Sequence, residues 1–303
     1  MANGIGIFIT ERIAAAVITN NKISGQVRWN AENGGASDSL HGIPAEIIVK
    51  MMVEQVQELQ VKEAPECVGV GLPGIVRNGS VEDSPNYIQF KGMNMQAMVA
   101  EAIAPLFGEV PVSIYNDADV MAAGIAATRG HLDKLTRAWT LGTGIGYGRY
   151  PFHEGVWEAG HSVVSLDPKE QYCGCGGKGH LEGIMGHRSM RLRFMDLEPE
   201  EVFEQAQVGE TRCVEFVKLW HRALAAATAT SIHLDGPGKF FITGPNSRFL
   251  NLTLLGEYLH EMVKLSPLQG YSTEIVPGGE NVALIGAVVN ASQALERATA
   301  TTC

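Results

Sequence analysis

The 303-residue chain is 45% hydrophobic and 18% charged, a balance that excludes a disordered polypeptide and allows one large or two medium domains with cores of their own. Its net charge of -10 argues against a nucleic-acid-binding surface. The five cysteines, an odd number with two in one cluster, suit a reducing cytosol better than a disulfide framework. No basic-then-apolar leader and no run of 18 apolar residues is visible, so neither signal peptide nor membrane span is expected and the expected location is cytoplasmic.

Residues 3 to 29 read as three short strands, GIGIFIT, RIAAAVIT and QVRW, with turn signals at Asn20-Asn21 and Ser24-Gly25. From Ile43 to Val61 apolar residues recur at helical spacing, and Pro44 suits a first turn. CVGVGLPG (67–74) is a buried strand running into a Pro-Gly turn, and Pro85-Asn86 marks another turn; ordinary turn chemistry accounts for both. Met93 to Phe107 reads as an amphipathic helix and VPVSIY (110–115) as a strand. Asn116-Asp117-Ala-Asp119 follows directly and opens an Ala-rich helix. A carboxylate at a strand end that starts a helix lies where open α/β sheets place ligands, so Asp117 is a candidate general base. The competing reading is helix capping, for which Asp119 is better placed, next to the helical run.

WTLGTGIGYGRY (139–150) reads as strand, glycine turn and strand. Gly142-Thr143-Gly144-Ile145-Gly146 offers N–H groups and a hydroxyl to phosphate oxygens, although glycine hairpins are common and no helix follows as in a dinucleotide fingerprint. Next, Glu158 to Glu182 contains His161, Cys173-Gly-Cys175 and His180 among glycines 174, 176, 177 and 179. Two thiols and two imidazoles form the donor set that tetrahedral zinc prefers. A bound structural zinc, worth about 10 kcal/mol, would hold a loop poor in apolar residues; a metal-free Gly-rich surface loop is the alternative. Beyond it the chain is largely helical. Arg212 to Leu234 forms one long helix whose His221 and His233 are expected to be solvated or capped. KFFITGPNSRF (239–249) is a buried strand with a Gly-Pro turn, followed by a helix (Phe249 to Leu265), a strand (STEIVP) and a helix from Val282 onward.

Glu158-Ala-Gly-His161 followed by Cys-x-Cys-Gly-x-x-Gly-His-x-Glu resembles the signature of the ROK family of sugar kinases and sugar-responsive repressors. The match covers Glu158, Gly160, His161, Cys173, Cys175, Gly176, Gly179 and Glu182; His180 stands where the family usually has a third Cys, and binds zinc as readily. The resemblance implies a two-domain α/β actin-like ATPase (sugar kinase) fold with a structural zinc loop. The implied smaller domain spans 1–118, with a C-terminal helix (about 288–303) packing back on it, and the larger one 119–287. It further implies a glucokinase-like enzyme of carbohydrate metabolism with ATP, Mg2+ and structural Zn2+. Asp117 would be the catalytic base. Asn86, Asn116, Glu158, His161 and Glu182 would hold the hexose, and Gly142, Thr143, Gly144, Gly146 and, loosely, Gly244 the nucleotide. The metal would lie between His161, Cys173, Cys175 and His180. A homodimer, with no nucleic-acid or membrane partner, is implied as well.

One departure bears on activity. Actin-like kinases carry Asp-x-Gly-Gly-Thr between the first two strands, for Mg2+ and phosphate. This chain has Ile7-Phe8-Ile9-Thr10-Glu11-Arg12 there; the Asp, both glycines and the Thr are replaced, and only Thr10 and Arg12 offer phosphate contacts. Two functions therefore stand open: an ATP-dependent hexose kinase, and a catalytically weak or silent sugar-binding sensor. ROK repressors carry a helix-turn-helix ahead of the first strand, which here begins near residue 3, so a repressor is the less expected reading.

Overall fold

The computed structural model describes residues 1–31, 40–153, 155, 158–264 and 270–301. The chain forms two compact units, one of Met1–Thr136, Gly148–Val156 and Gly278–Cys303, the other of Arg137–Tyr147 and Trp157–Pro277. This division is not the one expected from the sequence, which cut at 118/119. The helix after residue 116 packs on the C-terminal helix, and so everything up to 136 stays in the first unit.

In the first unit β1 (Gly4–Ile9), β2 (Ile13–Thr19) and β3 (Lys22–Trp29) form an antiparallel meander. Then β4 (Val68–Leu72) and β7 (Val112–Asn116) extend it in parallel, giving the order β3-β2-β1-β4-β7. The period of two along β1 sends Ile5, Ile7 and Ile9 to one face, where they are fully buried with α1 (Ala45–Glu58) and α2 (Met95–Phe107). The other face carries Gly4 and Gly6, and there α9 (Glu280–Thr301) lies with its backbone against the sheet. A Cβ on Gly6 would sit 2.3 Å from the Leu284 carbonyl oxygen, and one on Gly69 2.1 Å from that of Ala287. Side chains are excluded at these positions by helix-to-sheet approach.

The strand and helix cores agree with the sequence reading to within a few residues at most ends, but Ser24-Gly25 is not a turn: β3 begins at Lys22 and absorbs the pair as a register shift against β2. The small hairpin of β5 (Ile75–Arg77) and β6 (Ser80–Asp83) was not expected, because strands of three and four residues around Asn78-Gly79 are too short to show alternation. Asp119 is not the cap of α3 (Asp117–Thr128). Asn116 is: its Oδ1 accepts the Ala118 N–H at 2.8 Å, while Asp119 is buried within the first turn.

The second sheet has the order β11-β10-β8-β9, from β8 (Thr136–Leu141), β9 (Ile145–Tyr150), β10 (Lys239–Thr243) and β11 (Ser272–Ile275). In the second unit the short α4 (Leu181–Met185) and α6 (Pro199–Gln207) pack on α7 (Thr211–Asp235), with α5 (His187–Arg193) between them in the chain and α8 (Leu252–Met262) also against α7. Trp139, Leu141, Phe240 and Ile242 from the sheet meet Trp220 and Leu224 of α7 in its core. The expected helix 249–265 is shorter, because Pro245–Phe249 takes a 3-10 turn and Asn251 caps α8; Leu265 lies outside the described residues, as do 302–303 of the C-terminal helix. His233 is exposed as expected, but His221 is buried and not solvated. Its Nδ1–H donates to Val217 O at 2.8 Å and its Nε2 accepts the Asn251 N–H at 2.9 Å, joining α7 to the start of α8. Among the described residues no helix is long and apolar enough to cross a membrane.

Candidate functional site

The densest chemistry lies in the loop before α4. One ligand atom each from His161, Cys173, Cys175 and His180 falls within 4.8 Å of the other three. His161 Nδ1 and His180 Nδ1 each stand 3.2 Å from Cys175 Sγ, and Cys173 Sγ is 3.4 Å from Cys175 Sγ and 3.7 Å from His161 Nδ1. A tetrahedral zinc with Zn–S near 2.3 Å and Zn–N near 2.0 Å sets its ligands about 3.3–3.8 Å apart, so the donor set fits that ion by type and spacing. Burial pushes the Cys173 thiol up to about 12. Burial opposes ionisation of Cys175 too, yet the Gly177 N–H, Cys173 and His161 bring its thiol below the ordinary range. The His161 Nε2 faces Glu158 Oε2 at 3.8 Å, the carboxylate behind imidazole that orients metal-bound histidines.

The sequence folds this way for local reasons. Val164 N–H donates to Gly179 O at 2.8 Å and Leu181 N–H to Ser162 O at 3.0 Å, pinning the loop's two legs together. Gly179 has φ +69, and a Cβ there would meet the Ser165 carbonyl at 1.9 Å. At the foot, Arg193 pairs with Glu170 and lies 4.3 Å over the Tyr172 ring.

Glu182, in the first turn of α4, faces this loop on one side and the glycine turn on the other. Its Oε2 accepts the Ile145 N–H at 3.1 Å, and Cys173 Sγ donates to its Oε1 at 3.7 Å. Glu158 stays above its ordinary pKa, chiefly through burial and with a smaller push from Glu182, while His161 opposes the shift. The turn itself closes through Gly142 N–H to Gly144 O at 3.0 Å. Its Gly142 carbonyl accepts from His187 N–H at 3.1 Å and from Asn246 Nδ2 at 3.0 Å. Gly244 (φ +95) brings the second turn so near that a Cβ would lie 2.4 Å from Leu141 O. Thr143 is exposed at the tip.

The first unit holds Asn86, Asn116 and Asp117. Asp117 opens α3 at the C-terminal end of a parallel strand, the end at which α/β sheets present ligands. Asn116 uses its oxygen as the cap and donates from Nδ2 to Gly74 O at 2.9 Å, so its amide fastens the Pro-Gly turn after β4. Asn86 is exposed, next to Tyr87, whose hydroxyl donates to the Thr10 carbonyl.

A ROK family profile matches residues 11–289, nearly the whole chain. The chain belongs to the ROK family. A glucokinase of Pyrobaculum calidifontis is 29% identical over 240 residues, 73% of this chain and 77% of that protein. Among solved structures, the fold is similar to a ROK hexokinase of Thermus thermophilus (TM-score 0.72, 22% identity, 97% of this chain and 99% of that one). It is also similar to a ROK family glucokinase of Streptomyces griseus in complex with glucose and AMPPNP (TM-score 0.69, 23% identity, 96% and 99%). A ROK family transcriptional regulator, a homolog of the E. coli MLC protein, is alike to the same degree (TM-score 0.73, 18% identity, 97% and 78%). These likenesses establish the α/β ROK sugar-kinase fold.

In this ROK chain Thr10, Glu11 and Arg12 join β1 to β2. Ile7 and Ile9 are core residues with no exposed surface. Arg12 is held by Glu280, with Nε–Oε1 at 2.7 Å and Nη2–Oε2 at 2.8 Å, and its guanidinium lies 5.2 Å over the Trp29 ring. The Trp29 indole N–H donates to the same Glu280 Oε2 at 2.6 Å. The sequence reading missed this cluster, whose partners lie 251 and 268 residues apart and leave no local pattern. Glu11 is exposed in this turn, and the Arg12 beside it is engaged by Glu280.

Proposed function

We propose that this protein is an ATP-dependent hexose kinase of the glucokinase type. The carrying observation is Asp117, a carboxylate presented in the first turn of α3 at the C-terminal end of a parallel strand. The Asp117 carboxylate takes the proton of the hydroxyl to be phosphorylated, and that proton ends on its oxygen. Glu158, His161 and Glu182 bind sugar hydroxyls, and Asn116 and Asn86 are likewise assigned to the sugar. Gly142, Thr143, Gly144 and Gly146 orient the phosphates, with Gly244 beside the base. Mg-ATP supplies the phosphoryl group when bound. His161, Cys173, Cys175 and His180 hold the structural zinc that fixes the sugar loop. We place the protein in the cytoplasm as a homodimer on the same family reading.

A second reading, a sugar-binding sensor with slow turnover, is favoured by the turn between β1 and β2, where Arg12 already has Glu280 as its partner. Coupled-assay kinetics on a panel of hexoses with Mg-ATP, with calorimetry for the sugars, separates the two. In the kinase, Asp117→Asn should lower kcat by about 10^2–10^4 and leave sugar affinity within a few fold. Equal loss of affinity and turnover would make Asp117 a binding residue. Sugar binding without turnover in the wild-type protein would leave the sensor.

A further inference from the structure

Glu182 does something that holding a sugar hydroxyl does not require. Its Oε2 is the acceptor for the Ile145 N–H, 37 residues earlier, and so it fixes one edge of the glycine turn. Two residues before it stands His180, one of the four metal-type ligands, and the residue between, Leu181, is completely buried. Leu181 N–H is further held by Ser162 O, in the leg that carries His161. The other carboxylate oxygen faces Cys173 Sγ, a second ligand. The path from four-ligand cluster to glycine turn is thus one short rigid piece of chain and one hydrogen bond.

Gly144 gives an independent sign. Its backbone is not in the left-handed region, so conformation alone does not demand glycine there. A Cβ on Gly144 would instead fall 2.5 Å from Glu182 Oε2, with no other atom as near as 3 Å. The absence of a side chain at 144 is what lets the carboxylate reach the turn.

We propose that Glu182 is a positioning residue that couples the two loops: a metal held by His161, Cys173, Cys175 and His180 fixes α4, and through Glu182 fixes the glycine turn in its phosphate-receiving shape. Loss of the metal therefore loosens the turn and weakens its hold on a nucleotide. The inference rests on reading the cluster as a zinc site and the turn as a phosphate turn.

The test follows the Ile145 amide by hydrogen exchange, without sugar, in zinc-loaded and chelator-stripped protein, alongside titration of a fluorescent ATP analogue. Losing a hydrogen bond to a charged acceptor should speed exchange and weaken nucleotide binding about tenfold. Stripping the metal, Glu182→Ala and Gly144→Ala should each have that effect, and combinations should add little, since all three break one link. Glu182→Gln keeps an acceptor oxygen and should hold the amide close to its wild-type rate. Gly144→Ala fills open space once the carboxylate is gone, so in the Glu182→Ala background it should not speed Ile145 exchange further. A melting temperature within a few degrees of wild type marks the variants as folded, which isolates the local effect. Unchanged Ile145 exchange on stripping, fully additive effects, or purified protein that holds no zinc would overturn the proposal. Coupled exchange in a protein that never phosphorylates a hexose would leave it standing and sink the kinase reading; normal turnover with uncoupled exchange would do the reverse.

Discussion

Glu280 decides what the turn between β1 and β2 is for. It sits at the start of α9 and serves three donors at once, the Arg12 Nε and Nη2 and the Trp29 indole N–H. The Arg12 and Glu280 side chains are only 22% and 20% exposed, so water replaces the lost bonds incompletely. Glu280→Ala removes that acceptor and leaves the guanidinium against the indole, with the Ala31 carbonyl at 3.3 Å among its remaining partners. Hydrogen bonds to charged groups contribute about 1.5–3 kcal/mol each when buried; with partial exposure here the set should contribute about 2–3 kcal/mol. A negative charge is also lost from the first turn of α9, where the helix dipole favours one, adding about 0.5 kcal/mol. In a domain of this size the sum corresponds to a fall of about 5–10 °C in Tm. If the cluster is structural, calorimetry should show that fall while ATP-analogue affinity stays within twofold, and Arg12→Ala should behave the same way. If Arg12 serves a phosphate, Glu280→Ala should raise nucleotide affinity by freeing it, and Arg12→Ala should abolish the gain. A Tm change below about 1 °C, or tighter nucleotide binding in Glu280→Ala, would refute the structural reading. The same geometry predicts the outcome of placing a carboxylate and a glycine in β1. Ile7→Asp would bury a carboxylate among α1 and α2 side chains, and Ile9→Gly would open a cavity in the same core, so that variant should fold poorly before its turnover can be compared.

Elemental analysis of the purified protein should find close to one zinc per chain, and Cys175→Ser should lose zinc and sugar binding together, because the loop that holds the metal also presents Glu182. A metal-free protein that binds hexose normally would contradict this. Stability should fall as pH drops below about 6.5, where an unfolded histidine protonates. Burial holds the His221 imidazole below its ordinary pKa, against the opposing Val217 carbonyl, so over that interval the unfolded state binds more protons. Urea midpoints at pH 7.5 and 5.5 should therefore converge in His221→Gln, and an undiminished pH dependence in that variant would show that other groups carry it.

The motif from Glu158 to Glu182 was legible because its chemistry is local. The two cysteines and His180 lie within eight positions of one another, and glycines at the points where the loop folds back leave their mark in composition. The strands of the first unit were legible for the same reason, since alternation in GIGIFIT reports two faces before the partner of either is known. What the tertiary structure decided are contacts between residues far apart in the chain. Asn116 and Asp119 both suit a cap, and the choice fell to Asn116 because its amide also reaches Gly74, across from the neighbouring strand. His221 lies on a helix with no sign of special burial, and only the arrival of Asn251 makes it a buried bridge. Glu182 reads as a sugar ligand in sequence, yet its link to Ile145 exists because α4 folds back onto the β8–β9 turn. Arg12 finds Glu280 for a similar reason: α9 returns along the first sheet, over glycines that let the backbones touch. Side-chain type and spacing specify which groups a segment can offer, whereas packing of distant segments determines which of those groups are already engaged and which remain for a ligand.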